Sequence, residues 1–170
     1  GSIPEGYLPD YGYAFGDQGN GYAYGWDQDI SGDARDRDRD DVAPDQRYDT
    51  TNHMQKSDVD KIWEIELPNG TYDVFIVGGD SNHTDQINYF DVEGAILEDL
   101  DGEDNFDEYS VRVTVKDGRL TVKPAEGASN AKIMFVDIAE AVVVLSEDFE
   151  GLELGPNVDE AVAGDAVWTD

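Results

Sequence analysis

Between Ile62 and Ile138 apolar side chains recur at every second position in short runs, and nowhere in the chain do they recur at 3.6 residues over a useful length. A period of two puts successive side chains on opposite faces of an extended backbone, so this stretch is committed to half-buried strands. In Ile62-Trp63-Glu64-Ile65-Glu66-Leu67, the residues Trp63, Ile65 and Leu67 share one face and the two glutamates share the other. That alternation makes Trp63 a core residue. Pro68-Asn69-Gly70-Thr71 supplies turn chemistry before Tyr72–Val77, and two strands joined through Asn-Gly predict a hairpin. Val111–Val115, a turn at Lys116-Asp117-Gly118-Arg119 and a return over Leu120–Val122 repeat the arrangement. Asn88–Val92, ending at Glu93-Gly94, and Ala131–Ile138 complete the series. Strands at this spacing predict an all-β fold, an antiparallel β-sandwich.

The first sixty residues have no such period. They hold seven aromatics between Tyr7 and Trp26, interleaved with glycines at 12, 16, 19, 21 and 25. Glycine permits tight turns, and aromatic rings supply area that must be buried or offered to a ligand. This zone therefore reads as long ordered loops draped over one end or edge of the sandwich. Composition agrees, because 9 Tyr, 6 Phe and 3 Trp are too many for a disordered acidic chain.

Charge decides the partners. With 40 Asp+Glu against 11 Lys+Arg the net charge is −29, which repels nucleic-acid backbones and anionic membrane surfaces alike. No apolar run approaches the ~20 residues that span a bilayer. There is no cysteine, hence no disulfide, thiolate metal site or cysteine nucleophile. Gly1-Ser2 reads as an expression scar and carries no targeting information. The acidity is either a solvated surface suited to salty, calcium-containing surroundings or, in part, a set of calcium ligands.

Two acidic segments are the metal candidates. In Arg35-Asp36-Arg37-Asp38-Arg39-Asp40, strict alternation would put Asp36, Asp38 and Asp40 on one face of a strand. Like charges spaced ~7 Å apart along a strand favour a counter-ion, and calcium accepts such oxygens. Self-neutralisation by the neighbouring arginines is the competing reading. The segment is no EF-hand, since Asp41 falls where glycine is needed and Arg47 where glutamate is needed. Asp99 and Asp101, in Asp99–Glu108, are the second candidate.

Catalytic motifs are sparse. The two histidines, His53 and His83, belong to no His-Glu-x-x-His helix, and there is no Gly-x-Ser-x-Gly elbow or P-loop. A binding module is the cleaner inference. Sugar recognition needs aromatic faces beside hydrogen-bonding groups. Tyr22, Tyr24, Trp26 and Tyr48 provide the faces, and Arg47 and Asp49, with Asn20 and Gln46, the polar groups. Each aromatic could equally be the core of the loop layer. Arg47 could instead pair with a buried carboxylate such as Asp49 or Asp80, and His53 reads as a structural histidine.

The order of these segments carries a resemblance. Gly12-Tyr13-Ala14-Phe15-Gly16, Gly21-Tyr22-Ala23-Tyr24-Gly25-Trp26 and Asp45-Gln46-Arg47-Tyr48-Asp49-Thr50 come first. Trp63-Glu64-Ile65, Pro68-Asn69-Gly70-Thr71-Tyr72, Val77-Gly78-Gly79-Asp80 and Phe90-Asp91-Val92-Glu93-Gly94 follow. Together they resemble the malectin-like, galactose-binding-fold carbohydrate-binding modules of bacterial multidomain extracellular proteins. The resemblance implies a galactose-binding-like jelly roll over residues 3–138 and a non-catalytic, glycan-binding function at an extracellular or cell-surface location. It also implies a structural calcium. It lacks the usual first strand, which would leave an exposed sheet edge. Residues 139–170 read as an extra β segment and an acidic linker or the start of a neighbouring domain. Ala141–Leu145 is β-prone and could fill that edge within the chain or by strand exchange. A neutral oligo- or polysaccharide is the expected partner, because the chain repels acidic polymers. The runner-up function is an adhesion or structural spacer without a sugar site; an enzyme acting on polysaccharide is a distant third.

Overall fold

The computed structural model describes residues 2–56, 59–99 and 104–142. Thirteen strands follow one another with no α-helix among the described residues. They are β1 (Gly16–Asp17), β2 (Ala23–Trp26), β3 (Ala34–Asp36), β4 (Thr50–His53), β5 (Gln55–Lys56), β6 (Val59–Asp60), β7 (Trp63–Glu66), β8 (Gly70–Gly79), β9 (Phe90–Val92), β10 (Ala95–Leu97), β11 (Phe106–Val115), β12 (Arg119–Pro124) and β13 (Lys132–Glu140). One sheet has the order β1-β2-β7-β12-β9-β10 and the other β11-β8-β13-β4-β3, with β5 and β6 forming a separate two-stranded ribbon. The fold is the expected all-β antiparallel sandwich. From β7 onward the chain changes sheet at almost every connection, β9 and β10 being the exception.

That alternation overturns both predicted hairpins around Asn69-Gly70 and Asp117-Gly118. β7 pairs with β2 and β12, whereas β8 pairs with β11 and β13. Each turn is an arch that carries the chain from one sheet to the other. The two arches lie side by side, and Asn69 ties them: its amide donates to the Lys116 carbonyl at 2.8 Å and its carbonyl accepts from Gly118 N–H at 2.8 Å. Alternation tells which face is apolar; it does not say which strand lies alongside. The two-residue connection at Glu93-Gly94 does close a hairpin, with Val92 opposite Ala95 and left-handed backbone at both turn residues, φ 53° and 86°.

The core lies between the sheets. Tyr24, Trp26, Trp63, Ile65, Phe90, Leu120 and Val122 from one sheet meet Tyr72, Val74, Ile76, Val113, Val115 and Ile133 from the other. Trp63 is buried as its alternation predicts. A smaller cluster of Tyr48, Val77 and Phe135, with Tyr7, Phe75, Phe106 and Met134 against it, occupies the opposite face of the second sheet. A bulge between Ile133 and Phe135 makes this possible. It resets the alternation, so Ile133 faces the core and Phe135 the outer cluster.

β4 covers β13 only at Lys132 and Ile133, while β8 follows it to Glu140. Beyond Ile133 no other described strand lies on the β4 side, and a cavity opens there. β13 runs two residues past Ile138, and Ala141 N–H still bonds the Thr71 carbonyl at 2.9 Å. The rest of the Ala141–Leu145 candidate, from 143 on, lies outside the described residues.

Candidate functional site

The Gly/Tyr-rich loops are ordered by a half-buried carboxylate. Asp10 accepts the indole N–H of Trp63 at 2.8 Å, that of Trp26 at 3.0 Å and the Gly12 N–H at 2.7 Å. Burial raises its pKa above the ordinary aspartate value, against the pull of those donors. The loop then threads across the sheet edge: Phe15 N–H bonds the Trp26 carbonyl and Trp26 N–H bonds the Tyr13 carbonyl, at 2.7 and 3.0 Å. Gly25 is required at this crossing. Its φ is 133°, and a Cβ there would stand 2.6 Å from the Tyr13 carbonyl oxygen.

Strand packing places Tyr24 and Trp26 at 4% and 0% exposure, so neither has a face to offer a sugar ring. This corrects the stacking role expected for both. The Tyr24 hydroxyl donates to the Pro9 carbonyl at 2.7 Å. Tyr48 is also buried, ringed edge-on by Phe106 and Phe135, with its hydroxyl 2.5 Å from Glu108. Burial, together with the Glu108 carboxylate, pushes its pKa up to about 12. Arg47 pairs with Asp45, not with Asp49 or Asp80, and its guanidinium lies over the rings of Tyr7, Tyr48 and Phe135. Of the expected stacking residues, Tyr22 is the one that stands half exposed.

Two tyrosines outside that set complete the surface. Tyr11 and Tyr13 are 56% and 50% exposed, with ring centroids 5.9 Å apart and planes tilted at 53°. Tyr11 also lines the cavity beside β13, whose volume is about 640 Å³. Its walls include Arg35, Gln46, Arg47 and Asn52 among polar groups and Ile65, Ile133 and Val136 among apolar ones. Cavities of this size suit small ligands. No sequence signal separates Tyr11 from Tyr24, since both are tyrosines among glycines. Only the register of β2 against β7 buries one and leaves the other out.

The acidic segment folds differently from a strand bearing three aspartates. β3 stops at Asp36, and Asp38 adopts a left-handed backbone, φ 51°. The turn brings Asp36 and Asp38 together with Asp49, one carboxylate oxygen from each lying within 4.8 Å of the other two. Asp49, expected at a sugar, is buried here and accepts from Arg39 N–H at 2.8 Å and from Ser81 Oγ at 3.3 Å. Asp40 is outside the triad. Asp99 follows β10 and is likewise no part of it, and Asp101 lies outside the described residues. The donor set is all oxygen, which fits a hard cation such as calcium.

Next to the triad the cations are already engaged. Arg37 bonds the fully buried Asp80, which Lys132 also approaches at 3.6 Å, and Arg39 holds Asp41 at 2.7 Å and bonds Asn82. His53 is buried with Nδ1 2.8 Å from the Asp33 carbonyl, and burial lowers its pKa.

No protein-family model matches the chain, and no curated protein does. Its fold is similar to that of protein YxiM from Bacillus subtilis, known from an X-ray crystal structure, at 20% identity and a TM-score of 0.53. The match covers 83% of this chain and 38% of YxiM, so the chain spans well under half of that protein. A likeness at this identity speaks for the fold alone.

Proposed function

We propose that the chain is a non-catalytic carbohydrate-binding module that serves an extracellular protein. The observation that carries this reading is the half-exposed Tyr11–Tyr13 pair, of which Tyr11 lines the cavity beside β13. Aromatic faces pack on the C–H surfaces of a pyranose, and Gln46 and Asn52, which line the same cavity as Tyr11, suit its hydroxyls. Tyr22, half exposed on the same Gly-rich segment, offers a further face. A neutral glycan is favoured, because Arg37, Arg39 and Arg47 are each held by a carboxylate of the chain itself. Calcium belongs to the proposal as a stabilising ion at Asp36, Asp38 and Asp49.

A glycan array run with and without EDTA tests the reading. Tyr11→Ala and Tyr13→Ala should each weaken binding by roughly 1–3 kcal/mol, on the scale of base–aromatic stacking. Their melting temperatures should stay close to the parent's, because half-exposed rings contribute little to the core. Absence of binding to any glycan, with the fold intact, would favour the adhesion spacer. Turnover of a soluble polysaccharide would favour the enzyme.

A further inference from the structure

The chain contains two Asn-Gly steps, Asn20-Gly21 and Asn69-Gly70, and the fold treats them in opposite ways. In such a step the glycine amide nitrogen can attack the side-chain carbonyl carbon of the asparagine. A bond forms between the Gly nitrogen and Cγ, the bond from Cγ to Nδ2 breaks, and ammonia leaves with the amide proton. Water then opens the cyclic imide to aspartate or isoaspartate. The reaction needs a glycine backbone free to rotate toward Cγ and a carbonyl whose developing negative charge is stabilised.

At Asn69 the carbonyl has a donor, the Gly118 N–H at 2.8 Å, but the glycine is not free to rotate. Both ends of its carboxamide are held by the neighbouring arch, and Gly70 is locked into β8 opposite Val115. At Asn20 the carboxamide is hydrogen-bonded as well, but the glycine is free. Asn20 is exposed, and Gly21, at φ 91°, has nothing within 4 Å of where a Cβ would stand. Gly19 on the other side is equally open, with φ 75°. The Asn20 carbonyl accepts the Tyr22 N–H at 3.2 Å, a donor placed on the oxygen that gains charge during attack.

We infer that Asn20 is a site of spontaneous deamidation in the folded protein and that Asn69 is protected from the same reaction by the arch. The product changes the loop that carries the aromatics. Asn20 Nδ2 donates to the Tyr24 hydroxyl at 3.0 Å, and that hydroxyl spends its own proton on the Pro9 carbonyl. A carboxylate oxygen in place of Nδ2 would find no donor there, so this tie between the loop tip and β2 is lost.

The test is peptide mass mapping of the intact folded protein after incubation at mildly alkaline pH. Arg35 is the first basic residue, so trypsin releases residues 1–35 as one peptide whose sole asparagine is Asn20. The mass gain of one amide-to-acid exchange should accumulate in this peptide and be absent at Asn69. Unfolding in urea should bring Asn69 up to the rate of Asn20. Asn20→Gln should abolish the gain in the 1–35 peptide. An unchanged 1–35 peptide, equal rates at the two sites in the folded protein, or a gain that persists in Asn20→Gln would each overturn the inference.

Discussion

Two aspartates, Asp80 fully buried and Asp10 half-buried, respond to pH in opposite directions. Burial alone would raise the pKa of Asp80, but the Arg37 hydrogen bond, the Asn82 N–H and the charges of Arg37 and Lys132 outweigh it and hold the carboxyl below its ordinary value. A lowered folded pKa means stability that is present above the unfolded value of ~3.9 and is lost as pH falls through the folded one. Asp10, raised by burial, contributes most below ~3.9 and loses that contribution as pH rises through its folded pKa. Asp80→Asn should therefore cost about 3–5 kcal/mol at neutral pH, since it leaves two cations facing a neutral amide. It should also flatten the acid limb of stability. Urea titrations of parent and variant between pH 3 and 7 check both, and a constant difference across that range would contradict the assignment. Asp10→Ala strips two indole N–H groups of their acceptor and should cost about 2–4 kcal/mol by the same assay, given ~1–3 kcal/mol for a buried group left unsatisfied.

Among the elements, the paired arches are the part of the fold that strand periodicity conceals. Trp63, Ile65, Tyr72 and Val74 show their inward faces in the sequence, and the sandwich follows from that. The partner of β7 does not, because a Pro-Asn-Gly turn serves a hairpin and an arch equally well. Asn69 makes the difference through bonds to an arch nearly fifty residues away. Asn69→Ala should cost about 1–2 kcal/mol, the net worth of two partly exposed hydrogen bonds. Hydrogen exchange should quicken at Gly118, whose N–H loses its acceptor. Unaltered protection there would mean that the arches are held by strand pairing alone.

For the molecule as a whole, a net charge of −29 opposes compaction, so raising monovalent salt should increase the melting temperature. Calcium at constant ionic strength should raise it further if the Asp36, Asp38 and Asp49 triad holds the ion. Free calcium at a hundred times its dissociation constant would add roughly 2.7 kcal/mol. Asp38→Asn should remove the calcium increment and leave the salt increment; a calcium effect that survives it would place the ion elsewhere. The all-β class, the inward faces of the strands and the ordered loops were legible in the sequence, because periodicity and composition are local or summed properties. Tertiary structure alone decided that Tyr24 and Trp26 are core while Tyr11 and Tyr13 stand out, and that Asp49 joins Asp36 and Asp38 in place of Asp40. Each depends on a contact between segments distant in the chain, or on one left-handed residue such as Asp38, and neither leaves a mark in the spacing of residue types.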